Sequence, residues 1–149
     1  MPQLWPAPPA GASWMQALKV QMVTWLRADP VLDDLVAGRV YTVVPPHAAF
    51  PLITVEAPAA VARNTFRHPK RMVSIQVRAQ SQDLDEAELD TIADQLTAVL
   101  EGAAIAPIGP YRAARWDVDP TQSPTAYSDD LAGVVTRHRP TIFRITFTP

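Results

Sequence analysis

Between Ser13 and Ala28, apolar residues fall at Met15, Leu18, Met22, Trp25 and Leu26, the spacing of a helix that buries one stripe. Ser13 and Gln16 form a capping box at its start. Asp29 and Pro30 stop this helix and open a shorter one. Aspartate accepts from the free amides of a first turn, and proline lacks the amide that turn leaves unused. Gly38 is the expected left-handed cap of that second helix.

The period then changes to two. Arg39 to Val44 and Leu52 to Glu56 read as strands around a link holding Pro45, Pro46 and Pro51, and in the second strand Ile53 and Val55 alternate with Thr54 and Glu56. In "RMVSIQVRAQ", Val73, Ile75, Val77 and Ala79 point one way while Ser74, Gln76 and Arg78 point the other, so one face is expected to be buried and one wet. The helical repeat returns after it. Leu89, Ile92, Ala93, Leu96, Val99 and Leu100 share a stripe, Asp83 with Glu86 caps the start, and Gly102 marks the end.

A strand from Tyr111 to Val118 and a polar, proline-containing loop "DPTQSPTAYSDD" lead to the closing segment, where Phe143, Ile145 and Phe147 alternate with Arg144 and Thr146. Pro140 is expected to break that segment into two strands or to mark an edge. This order predicts an α+β fold: a single domain with a mostly antiparallel four- to five-stranded sheet and two main helices packed on one face.

Composition narrows the picture. A chain of 149 residues with 48% hydrophobic content suits one domain. Four of its sixteen prolines lie within the first nine residues, which sets residues 1–12 apart as an extended proline-rich arm before a domain at 13–149. Leu4 and Trp5 would let that arm dock on a neighbouring surface. A net charge of −2 argues against a whole-molecule polyanion binder and leaves only local patches. The absence of cysteine removes disulfides, thiolate metal sites and cysteine nucleophiles. No apolar run reaches the roughly 20 residues that span a bilayer, and the first residues lack the pattern of a signal peptide, so a cytoplasm-like setting without membrane contact is expected.

Candidate chemistry is sparse. His47, His68 and His138 are far apart, lack partners at metal-ligand spacing on a shared helix, and are expected as surface loop or strand residues. Glycine motifs for a phosphate cradle or a nucleophile elbow are missing, and Ser128 beside Asp129 and Asp130 reads as turn chemistry. No catalytic, metal or cofactor residues are therefore expected, and the protein is not expected to be an enzyme.

Two charged segments remain. Arg63, Phe66, Arg67, Lys70 and Arg71 make a basic arm with an aromatic residue between the second and third strands. Asp83, Asp85, Glu86, Glu88, Asp90 and Asp94 form an acidic face on the later helix, part of which simply complements the helix dipole. The arm suits phosphate or an acidic protein surface. Opposite charges on two segments also suit head-to-tail contact between identical copies. The interface candidates are Arg63, Phe66, Arg67, Lys70, Arg71, Asp85, Glu88 and Asp94.

The succession "GRVY…VPP…FPLITV", a strand entering the acidic helix "AELDTIADQL", and the final "GVVTRHRPTIFRITF" resembles the tail completion or tail terminator proteins of long-tailed bacteriophages and gene transfer agents, over roughly residues 15–148. That resemblance implies a structural virion protein of the tail or neck, assembled in a host bacterial cytoplasm. It implies a hexameric ring that caps the tail tube protein, ends its polymerisation and meets a head-side connector protein. DNA would pass through the lumen without specific binding, and an acidic helix lining that lumen would let it slide. The arm before Ser13 and the long loop from Asp117 to Asp130 depart from the family pattern. Two other readings stay open: another connector or neck component, and a nucleic-acid-binding module using the basic arm 63–71. In a ring subunit, Pro45, Pro46 and Pro51 would hold one edge rigid by lowering the entropy lost on ordering it.

Overall fold

Helix α1 (Trp14–Ala28) turns Leu18, Met22 and Leu26 into the core, and all three are fully buried. The computed structural model describes residues 14–62, 71–82, 86–102, 105, 107, 112–118, 127–131 and 133–148. Helix α2 (Pro30–Val36) starts as its sequence requires. The Asp29 carboxylate accepts from the Leu32 amide at 2.9 Å, and Leu32 and Val36 are buried. Its left-handed cap falls one residue before the expected glycine, on Ala37 at φ 51°, and Gly38 follows at φ 71°.

The remaining elements are β1 (Val40–Tyr41), β2 (Leu52–Ala62), β3 (Arg71–Ser81), α3 (Glu86–Glu101), β4 (Arg112–Val118), β5 (Tyr127–Leu131) and β6 (Val134–Thr148). The strands form one sheet in the order β1-β2-β3-β6-β4, with β5 also paired to β6. Every pairing is antiparallel except β1 with β2. The fold is thus α+β with a mostly antiparallel sheet, and two short edge strands raise the strand number to six.

Both short strands depart from the hydrophobic pattern for a physical reason. β1 runs parallel to β2, with Val40 opposite Ile53 and Tyr41 opposite Thr54. The chain must double back before re-entering at Leu52, so the strand expected from Arg39 to Val44 stops at Tyr41. β5 arises inside the polar loop because pairing, not alternation, makes it. Gly133 at φ 79° lies in the connection that sets Leu131 against Val134.

β3 and β6 form the spine of the sheet, in unbroken register from Arg71 opposite Phe147 to Ser81 opposite Arg137. Val73, Ile75, Val77 and Ala79 of β3 join Phe143, Ile145 and Phe147 of β6 against Leu89, Ile92, Leu96 and Leu100 of α3. This is one core cluster shared by α1, α2 and α3. Pro140 does not break β6. It stands opposite Arg78 of β3, while on the other side β5 pairs only as far as His138 and β4 only from Phe143. The missing proline amide falls at a gap in the ladder. β2 carries its own irregularity between Glu56 and Ala59, where Pro58 sits.

The face of the sheet away from the core is less wet than alternation suggests. Ser74, Gln76 and Arg78 are half-buried, and Thr54, Gln80 and His138 are buried. Gln80 donates from Nε2 to Thr54 Oγ1 at 3.2 Å. His138 is 5% exposed on β6, which corrects the expectation of a surface histidine. Among the described residues no helix is long and apolar enough to cross a membrane.

Candidate assembly surfaces

β2 and β3 pair as far as Ala62 opposite Arg71, and most of the basic arm is the sequence between those two residues. Arg63, Phe66, Arg67 and Lys70 lie outside the described residues, as do Asp85 and His68. Arg71 opens β3 and is paired on both sides, to Ala62 and Phe147. β3 then runs eleven residues to Ser81 before α3 begins. At about 3.3 Å per residue β3 carries the chain about 33 Å from Arg71 to Ser81.

The acids on α3 are not equivalent. Glu88 is half-buried and accepts from the Ser81 hydroxyl at 3.3 Å. Asp90 forms an ion pair with Arg139 of β6. Glu86 and Asp94 are exposed, and with Asp90 they follow the four-residue spacing of one helix face. Glu88 and Asp94 thus differ as interface candidates, since Glu88 is half-buried and hydrogen-bonded whereas Asp94 is exposed. The partner for Asp90 was readable in the sequence. Arg139 lies an even number of positions from Phe143 and Ile145 and so shares the side of β6 that faces the helices.

The start of α3 and the β5–β6 hairpin enclose a pocket of about 200 Å³, with Glu86, Asp90, Ser128, Arg137, His138 and Arg139 among its lining residues. Two acids and two arginines give it a mixed charge. Ser128 is exposed on β5, and no group of residues able to hold a metal ion occurs among the described residues. On the face away from the helices, cross-strand ion pairs tie the sheet together: Arg78 to Glu56 at 2.9 Å, and Arg144 to Asp117 at 3.2 Å.

The proline link is anchored by arginines. Arg39 donates from Nε to the Pro51 carbonyl at 2.8 Å and from Nη2 to the Phe50 carbonyl at 3.4 Å. Arg27 reaches from α1 to the Val40 carbonyl at 2.6 Å, and the Ile53 amide donates to Arg39 at 2.9 Å. Within the link the Ala48 amide donates to the Pro45 carbonyl at 3.3 Å. The anchored loop nonetheless presents apolar residues to solvent, with Val43 82% exposed and Val44 beside it. On the opposite side of the sheet, Val134 and Val135 are exposed at the start of β6. Reading the chain for charged segments overlooks both pairs. Their signal in sequence was two adjacent valines next to turn residues, Pro45 in one case and Gly133 in the other.

Comparison with known proteins brings these features into a family context. The sequence family described as "Tail completion protein gp17" matches residues 20–141. No protein of curated function matches the chain. Among solved structures, a chain from "Virion of native gene transfer agent (GTA) particle" is similar with a TM-score of 0.75 at 18% identity, covering 93% of this chain and 100% of that one. At that identity the likeness establishes a shared fold.

Proposed function

The chain belongs to the tail completion protein gp17 family, and from that membership we propose that it is a tail terminator acting as a ring of identical copies. The family gives it a structural role in a phage tail, as a component of the virion. The finer reading is that the ring, six-fold by family resemblance, seats on the last ring of the tail tube protein. It covers the surface on which the tube would grow and offers its other side to the head-side connector.

The observation that carries this reading is the family match across most of the domain. Two features of the chain support it. The link beside β1 holds three prolines and is fastened by Arg39, next to a strand whose Val40 is buried in the core. Asp90, Arg139 and Glu88 are engaged in an ion pair and a hydrogen bond that tie strand to helix.

Assembly makes physical sense for such a surface, because head-to-tail contacts between unlike patches close into rings when the rotation between copies divides a full turn. Electron micrographs of the purified protein, alone and mixed with tail tubes, test the reading. Rings of uniform diameter, found at one end of the tubes, are expected. Particles bound along the tube wall, or none bound at all, would contradict it.

A further inference from the structure

We propose that neighbouring copies join edge to edge by strand addition, β4 of one copy pairing antiparallel with the last four residues of β2, 59–62, of the next. This deepens the ring reading and rests on it, since it names the contact by which one copy receives another.

β1 pairs with β2 only at Ile53 and Thr54. Beyond Thr54, on the side away from β3, no strand among the described residues pairs with β2, and none pairs with β4 on the side away from β6. Each edge is therefore a row of backbone donors and acceptors open to another chain. The two edges differ in how they are guarded. β4 is irregular between Ala113 and Arg115, and Arg112 and Arg115 are exposed there, both of them devices that keep stray strands off. Past that guard Trp116, Asp117 and Val118 are half-buried. β2 has its irregularity earlier, at Pro58, and residues 59–62 bring no charge, no proline and no bulge. Such an unguarded edge recruits strands unless one fixed partner fills it.

The register singles out that partner. Ala60, Val73, Ile145 and Trp116 form one row across the sheet, and Val61 and Arg115 are the two ends of the next row. The open stretch of β2 and β4 therefore lie at one height. β2, β3, β6 and β4 alternate in direction, so β2 and β4 run opposite ways. Within one copy they are three strand spacings apart, or about 14 Å, with β3 and β6 between them. A second copy set beside the first in the same orientation presents its β4 to β2 as an antiparallel partner, row for row. Trp116 is half-buried against the core at the rim of the sheet, and alanine at position 60 of the joined row leaves space beside it. Pairing β4 with β4 would set arginines of two copies against each other, whereas the uncharged end of β2 opposes them with nothing. Unlike edges thus meet, the contact is heterologous, and every copy in a closed ring has both edges filled.

The chain has no cysteine, so one engineered pair reports on this contact alone. Val61→Cys and Arg115→Cys are made singly and together, and the assembled protein is treated with a short bis-maleimide and run on a denaturing gel. The double variant is expected to give a ladder of bands up to the full ring. Each single variant is expected to give a monomer band by itself and a dimer band when the two are mixed before assembly. Dimers from one single variant by itself would show like edges paired and overturn the proposal. A double variant that stays monomeric on the gel, while micrographs of the same sample show rings, would overturn it and leave the ring reading standing. Hydrogen exchange of the unmodified protein gives a second measurement that needs no variant to fold. Residues 59–62 and 115–118 are expected to exchange more slowly in the ring than in protein dissociated by dilution, and unchanged exchange in either segment would overturn the proposal. Absence of rings in every sample, the unmodified protein included, would defeat the ring reading itself, and the proposal with it.

Discussion

Ala37 is the residue at which local geometry and residue type disagree most. It holds a left-handed φ of 51° and caps α2 through its amide, which donates to the Asp33 carbonyl at 2.7 Å. A side chain with a Cβ pays about 1 kcal/mol or more for that conformation. Ala37→Gly is therefore expected to raise stability, by up to about 1 kcal/mol once the extra freedom of glycine in the unfolded chain is subtracted. Chemical denaturation measures it, and a loss of stability would show that the Ala37 methyl contributes packing that outweighs the strain. Arg39 is the second residue whose role is specific. Arg39→Ala removes two donors from the Pro51 and Phe50 carbonyls and is expected to cost about 1 to 2 kcal/mol. Arg39→Lys should restore only part of this, because one ammonium cannot reproduce a forked donor. Full rescue by lysine would mean that charge alone is at work.

At the scale of elements, what was legible depended on what makes each element. α1, α3 and β3 are made by the alternation of buried and exposed side chains, so their periodicity places them within a few residues. β1 and β5 are made by a neighbour. Two residues of β1 hold because β2 runs beside them in parallel, and "YSDD" becomes β5 because a glycine turn lays it on β6. Neither fact is local to the segment, so neither shows in its pattern. His138 was misjudged for a related reason. A histidine between two arginines reads as surface, yet the register sets it beside Gln80 and Tyr127 in the sheet, where it is buried. The proline link is the element whose rigidity is most open to test. Replacing Pro45 and Pro46 by glycine is expected to weaken assembly more than it weakens folding, since both are exposed and act by limiting the loop's freedom. Denaturation midpoints and assembly constants measured on the same variant decide this, and equal losses in both would refute it.

At the scale of the whole molecule, charged and apolar contacts between copies respond differently to salt. Exposed ion pairs contribute little and fade as the Debye length shrinks, whereas apolar contact does not. If Arg67 and Arg71 meet a neighbour's Asp94, raising salt from 0.05 to about 0.5 M should weaken assembly severalfold without abolishing it. Assembly unchanged by salt would show that these charges do not carry the contact. The candidate charges were visible as runs in the sequence. That Glu88 is already bonded to Ser81 was not, because it depends on how the end of β3 is set against α3. The most direct measurement is the mass of the purified protein in solution across a wide concentration range, by light scattering with sedimentation. The account predicts a single closed species at a fixed whole-number multiple of 16.3 kDa. A species of 16.3 kDa at every concentration, or growth without a limit, would contradict it.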